Sequence, residues 1–374
     1  MIYLEGNEKY YFWLAMIPGV GTRTIRQISL AYPDLKELFE MAKRNEKLEL
    51  GMGAQAEGRL SELLYRYAKR ERIDDQLEYI YNKDMYVVTC ISEEYPELLG
   101  EIYNPPPLLF VRGDMGKAVS CGKCFGIVGT RHATRRGIEN AHNIARELSA
   151  SGVCIVSGMA SGIDTAAHQG ALEGGGPTVA VLGSGVDVIY PKENEALYYK
   201  IIENGAVISE NVPGTGANPK LFPPRNRIIT GISKGILVCE GDRKSGASIT
   251  ANFAVEQNRE VFALPADIGL KQGMLPNHLI SEGAYICLGA DTILECMGWG
   301  EASRKSVEDE VMPFQLDFSE QVLYNLLMQG DLTLEELTLK SGFGTAELME
   351  KLTMLEIMGA VEKLPGNVIR ALRS

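Results

Sequence analysis

Three short segments carry the residue types that grip phosphates. They are Gly129-Thr130-Arg131-His132-Ala133-Thr134-Arg135-Arg136-Gly137, Phe222-Pro223-Pro224-Arg225-Asn226-Arg227 and Lys244-Ser245-Gly246-Ala247-Ser248-Ile249-Thr250. Each joins Gly or Pro punctuation to Arg or Lys, beside small hydroxyl or amide side chains. Each follows an apolar run and leads into a helical pattern. Glycine lets the backbone come close to a ligand, N–H groups at a helix start donate, and a cationic side chain completes the contact. Three such segments in one region fit a ligand with phosphates in series, a polynucleotide rather than a single nucleotide.

In the first segment, Gly129 and Gly137 permit close approach. Thr130 and Thr134 offer hydroxyls, and Arg131 can hold a phosphate with two parallel bonds. The glycine spacing is not that of the dinucleotide fingerprint. Ser157-Gly158-Met159-Ala160-Ser161-Gly162-Ile163-Asp164 forms a second close-approach loop. In it Asp164 is either a helix cap or a ligand contact. Gly183-Ser184-Gly185 is a weaker, turn-like loop, followed by Tyr190-Pro191. Phe222 either stacks on a base beside Arg225 or packs inward; Asn226 and Arg227 continue that helix start. Lys244, Ser245, Gly246 and Ser248 cradle a phosphate without the order of a P-loop.

The elements that position these segments alternate. Strand-like runs at Phe125–Val128, Val153–Val156, Thr178–Leu182, Ala206–Ser209, Gly235–Cys239, Val261–Leu264 and Tyr285–Leu288 are separated by helix-like runs such as Ile138–Ala150, Ala166–Leu172 and Ser248–Gln257. Short apolar runs with crossover helices imply a parallel sheet covered on both faces, with ligands beyond the carboxyl ends of its strands. The expected organisation is a helical domain over 1–85, a proline-rich connector over 86–124, a Rossmann-like domain over 125–295, a charged linker over 296–314 and a winged-helix-like domain over 315–374. In the front domain, Ile17-Pro18-Gly19-Val20-Gly21-Thr22 reads as a helix-hairpin-helix (SAM-like) turn that either meets a DNA phosphate or only packs. In the tail, Thr345-Ala346-Glu347-Leu348-Met349-Glu350-Lys351 would be the recognition helix. With nine acids and five bases over 316–374, that domain fits a protein contact better than a duplex.

The formal net charge is −12, yet residues 125–295 hold 14 Lys and Arg against 17 Asp and Glu, so clustering decides the local field. The seven Cys include the pair Cys121 and Cys124, which lacks a second ligand pair for zinc and lies before a strand, so a structural role is expected. No metal, no cofactor, no membrane span and no signal peptide are expected, which makes the cytoplasm the default compartment.

Taken together, these segments resemble the DNA-processing protein A family (DprA, also called Smf). The resemblance rests on Gly129-Thr130-Arg131 to Gly137, Ser157-Gly158 to Asp164 with Ala167-His168, Ala180-Val181-Leu182-Gly183, Tyr190-Pro191, Ser209-Glu210, Phe222-Pro223 with Arg225-Asn226-Arg227, Lys244-Ser245-Gly246 with Ile249-Thr250-Ala251, and Asn277 to Ala284. It implies an extended Rossmann-like domain that binds single-stranded DNA. It also implies a homodimer and loading of the RecA recombinase during DNA uptake and natural transformation, without catalysis. Two departures stand out: Ser161 occupies a position that is basic in many members, and Ala266 one that is often Gly. The rival reading is an enzyme of the nucleotide phosphoribohydrolase kind, whose Pro-Gly-Gly-x-Gly-Thr loop and following Glu are missing from Gly241 to Thr250.

Overall fold

The computed structural model describes residues 4–70, 72–300, 317–328, 330–358, 360–364 and 368–371. They fall into two compact units, Met1–Gly300 and Glu301–Ser374.

The first unit opens with five helices, α1 (Gly6–Met16), α2 (Thr22–Ala31), α3 (Leu35–Lys43), α4 (Ala54–Arg70) and α5 (Ile73–Tyr81). Their core is built around Trp13, Phe12, Ile25, Ile28 and Leu38, and continues onto Val87 and Phe110 of the neighbouring sheet. The turn between α1 and α2 is pinned to that sheet domain, because Thr22 Oγ1 donates to the Pro105 carbonyl at 2.6 Å.

Nine strands form one sheet: β1 (Tyr86–Thr89), β2 (Leu108–Gly113), β3 (Cys124–Val128), β4 (Cys154–Ser157), β5 (Thr178–Val181), β6 (Ala206–Ser209), β7 (Gly235–Val238), β8 (Glu260–Ala263) and β9 (Tyr285–Ile286). Their order is β1-β2-β6-β5-β4-β3-β7-β8-β9. From β6 to β9 every pairing is parallel, and the strands are apolar, as a sheet covered on both faces requires. The helices of this layer are α6 (Glu97–Gly100), α7 (Met115–Val119), α8 (Arg135–Ala150), α9 (Ile163–Glu173), α10 (Glu195–Asn204), α11 (Phe222–Ile232), α12 (Gly246–Glu256), α13 (Met274–Ser281) and α14 (Ala290–Cys296). The strand order reverses between β3 and β7. In a doubly wound sheet that reversal opens a crevice at the carboxyl ends.

Two expected boundaries differ from the structure. The proline-rich stretch is not a separate connector: β1 pairs with β2, and β2 pairs antiparallel with β6, so both strands extend the sheet. Pro105, Pro106 and Pro107 stay just outside β2, where no ladder N–H is needed. The expected linker start at 296 also falls too early. Cys296 closes α14, and Trp299 packs edge-on against Phe125 with ring centroids 6.1 Å apart. The rest of that linker from 301, and the expected turn at Pro365-Gly366-Asn367, lie outside the described residues.

The second unit is a winged helix: α15 (Phe318–Met328), α16 (Leu334–Ser341) and α17 (Thr345–Ile357), with a sheet of β10 (Leu332–Thr333), β11 (Val361–Leu364) and β12 (Val368–Ala371) in the order β10-β12-β11. On α17, Glu347 and Glu350 are exposed, whereas Lys351 is held by Asp317 and by Glu320 at 3.6 Å. Arg370 is likewise held by Asp331 at 2.6 Å.

A buried histidine packs against the amino end of β5. His168 Nδ1 contacts Thr178 Oγ1 at 2.7 Å, and that hydroxyl donates to the Ile155 carbonyl at 2.7 Å. The ring is therefore the Nδ1–H tautomer, donating to Thr178, and Nε2 is buried with no partner among the described residues. Burial, reinforced by the Arg225 charge, pushes the imidazole down to about 3. The folded state thus needs neutral His168. Its contribution is complete above the unfolded value of about 6.5 and is lost as pH falls from there toward 3. Between pH 7 and pH 5 the wild type should lose about 2 kcal/mol more stability than His168→Gln, measured by denaturant unfolding at both pH values.

Candidate nucleic-acid interface

Beyond the carboxyl ends of β3 and β7 lies an open cleft of about 400 Å³. It brings together Gly129, Thr130, Arg131, Phe222, Arg225, Asn226, Ser245 and Gly246 from all three phosphate-type segments. An adjoining recess shares Arg131, Phe222 and Arg225 and adds Gly158 and Tyr190.

The starts of three helices face this region. α8 is capped by Thr134, whose hydroxyl accepts from Gly137 N at 3.0 Å. α11 begins at Phe222 with Pro223 and Pro224 in its first turn, where the missing N–H of proline is harmless. α12 follows Ser245, whose side chain makes no cap bond, and its hydroxyl is buried without a partner among the described residues. Ser248 turns its hydroxyl back to the Ser245 carbonyl at 2.7 Å, so it closes the helix turn instead of facing the cleft.

The cations divide into two groups. Arg131, Arg136, Arg243 and Lys244 are exposed and pair with no carboxylate among the described residues, whereas Arg135 pairs with Glu139 at 2.8 Å. Arg131 lies over the Phe222 ring at 5.0 Å, and the other partner of that ring is Tyr190, stacked at 5.5 Å with an interplanar angle of 22°. Phe222 is half-buried, between the two expected readings, and Tyr190 is 42% exposed.

The second group is structural. Arg225 is 4% exposed; its Nη1 donates to the Gly158 carbonyl at 2.7 Å and to the Val181 carbonyl, and Nε donates to Asn226 Oδ1 at 3.1 Å. Burial pushes its guanidinium down to about 10, opposed by Asp164, so it stays charged at neutral pH. Arg227 grips Glu210 through two bonds of 2.7 and 2.6 Å and reaches the Asn104 carbonyl at 3.0 Å. Both were expected as phosphate ligands. Arg225 instead ties three backbone segments together with its head at the cleft wall, and Arg227 is neutralised away from the cleft. Ser157 departs similarly: it is fully buried, with its hydroxyl donating to the Ile127 carbonyl at 2.6 Å.

Ser161 is exposed at the tip of its loop, and Gly162 follows with φ +85, a left-handed conformation whose Cβ would strike the Thr130 and Arg131 carbonyls. Asp164 is the helix-start acid and accepts from Ala160 N at 3.3 Å; burial raises its carboxyl above the usual range, against the pull of Arg225. Sequence reasoning missed Glu240. It directly follows the apolar run of β7, is 6% exposed, and accepts from Thr134 N at 2.8 Å and Thr134 Oγ1 at 2.5 Å. A lone acid at the carboxyl end of a strand, among basic loops, was the available signal.

Residues 86–298 match the family model described as DNA recombination-mediator protein A, and residues 310–367 match the DprA winged helix domain. The chain belongs to the DprA/Smf family. Protein Smf of Synechocystis is 35% identical over 314 residues, 82% of this chain and 77% of the relative. The DNA processing protein DprA of Bacillus subtilis is 41% identical over 204 residues, 54% of this chain and 68% of the relative. The crystal structure of DprA from Streptococcus pneumoniae superposes with a TM-score of 0.62 at 31% identity, covering 79% of this chain and 98% of that one. DprA from Helicobacter pylori, described for its single-stranded DNA binding mode, superposes with a TM-score of 0.52 at 27% identity, covering 57% of this chain and 95% of that one.

For this DprA-family cleft, the two kinds of arginine should separate in stability measurements. Arg225→Met strands two buried carbonyls and leaves Asp164 without its cation, which should cost on the order of 3 kcal/mol in urea unfolding. Arg131→Ala should stay within about 0.5 kcal/mol of wild type in the same experiment.

Proposed function

We infer that this chain binds single-stranded DNA across the cleft at the carboxyl edge of the sheet and passes it to a RecA-type recombinase during DNA uptake and recombination. The observation that carries the reading is the juxtaposition of a cation with an aromatic stack: Arg131 lies over Phe222 and Phe222 stacks on Tyr190, while Arg243 and Lys244, exposed and unpaired among the described residues, directly precede the cleft residues Ser245 and Gly246. Cations that track the backbone and aromatic faces that accept unpaired bases are the two parts of a single-strand site. A duplex keeps its bases stacked inside and cannot use the second part. The recombination-mediator family and the Helicobacter pylori relative support the same assignment, and the family description supports the recombinase as recipient.

Binding rather than catalysis is the proposed activity. Asp164 and Glu240 are spent on protein groups, and Asp242, beside Arg243, faces Lys271 at 3.6 Å. Support for a homodimer comes from the edge strand β9, where Tyr285 and Ile286 are half-exposed and Leu288 is 80% exposed. Its outer edge is unpaired among the described residues, and an apolar free edge is a self-association surface. The winged helix is assigned to a protein contact, because the cations Lys351 and Arg370 are already paired. No helix among the described residues is long and apolar enough to cross a membrane, and a cytoplasmic setting follows from the proposed partners.

Labelled oligo-dT and a duplex of equal length, titrated across a salt series, test this reading. The single strand should bind tighter, with a log–log salt slope of about −0.7 per phosphate neutralised. Arg131→Ala should weaken binding by about ten- to a hundredfold, and Arg131→Lys should recover only part of it, since an ammonium cannot form the paired bonds of a guanidinium. Equal affinity for duplex, or wild-type affinity in Arg131→Ala, would refute the assignment.

A further inference from the structure

We propose that Glu240 is a positioning residue for phosphate binding: a buried carboxylate that raises DNA affinity by fixing the loop that carries Arg131. The proposal rests on the reading of the cleft as a single-strand site. A carboxylate here is unexpected. Glu240 lies two residues beyond β7 at the strand-order reversal, where a doubly wound sheet receives its ligand, and ligand phosphates would be repelled by it. On charge alone, removing it should strengthen binding.

The geometry argues the opposite. Glu240 clamps the Arg131 loop on both sides of that residue. Its backbone carbonyl accepts from Thr130 N at 2.8 Å, and its carboxylate accepts from Thr134 N at 2.8 Å and Thr134 Oγ1 at 2.5 Å. The same Thr134 hydroxyl caps α8 by accepting from Gly137 N at 3.0 Å, so carboxylate, loop and helix start form one chain of hydrogen bonds. Gly137 leaves the room: a Cβ there would collide with the Glu240 carboxylate. At 6% exposure, the carboxylate is turned from solvent and engaged with the loop, which limits its repulsion of a ligand. Without it, the loop would have to be ordered when DNA binds, and that ordering subtracts from affinity.

The test uses the full-length chain and oligo-dT binding with Arg131→Ala, Glu240→Gln and the double variant. Glu240→Gln keeps the shape and an oxygen that can accept from Thr134 N, but it replaces the second carboxylate oxygen by an NH2 that cannot accept the Thr134 hydroxyl proton. It should weaken binding about tenfold and flatten the salt slope by about 0.7, the value of one phosphate contact. In the Arg131→Ala background it should change affinity less than twofold, because it acts through Arg131. Unchanged or tighter binding by Glu240→Gln would leave only the charge and overturn the proposal, as would a full tenfold loss in the Arg131→Ala background. If Glu240→Gln does not fold, Thr134→Val decides from the other end of the bond: it should weaken binding about threefold, with Thr134→Ser restoring it, and wild-type affinity in Thr134→Val overturns the proposal. Failure of the wild type to bind oligo-dT, or wild-type affinity in Arg131→Ala, identifies the single-strand reading as the fault and removes the proposal with it.

Discussion

The buried guanidinium of Arg225 is the joint on which the cleft depends. It reaches from the first turn of α11 to the carbonyls of Gly158, after β4, and Val181, which ends β5. Those carbonyls sit where the parallel ladders stop and have no strand partner to take them up. A buried cation with several fixed donors meets that need, and Asp164 nearby offsets its desolvation. Held this way, α11 presents Phe222 in contact with both Arg131 and Tyr190. The residue that looked most like a phosphate ligand thus builds the platform on which other residues would meet the ligand.

A chain of net charge −12 can still carry a cationic cleft, because pairing decides which charges act at a distance. Arg227 is cancelled by Glu210 and Lys351 by Asp317, while Arg131, Arg136, Arg243 and Lys244 are uncancelled. Asp164 and Glu240 are drawn inward onto backbone and hydroxyl donors. The resulting field is local and screened within about 10 Å at ordinary salt, so it selects for a ligand that enters the cleft over one that approaches the whole surface.

Much of the fold was legible in the sequence because short apolar runs and intervening helical periodicity leave few alternatives to a parallel sheet. Each of the seven expected strands of the α/β domain is present, within a residue or two at its ends. The extra strands β1 and β2 were not legible as part of that sheet. The proline run between them signals extended chain, but a pairing across to β6 depends on contacts nearly a hundred residues away. In the site, residue types announced phosphate chemistry and could not say which side chains face outward. Arg131 and Arg225 look alike in a motif; Arg131 is exposed on its loop, whereas Arg225 falls on the core face of α11, one position after the exposed Pro224. Glu240 was overlooked because its role is to hold Thr134, a partner 106 positions away.

The central claim is that an unpaired base stacks on the aromatic platform at the carboxyl edge of the sheet. Photocrosslinking of a 4-thiothymidine oligonucleotide to the full chain, with the attachment sites mapped by mass spectrometry, tests it most directly. The account predicts adducts on the peptides that hold Phe222 and Tyr190. Adducts confined to α17 or to the α1–α2 turn, with none on those two peptides, would contradict it.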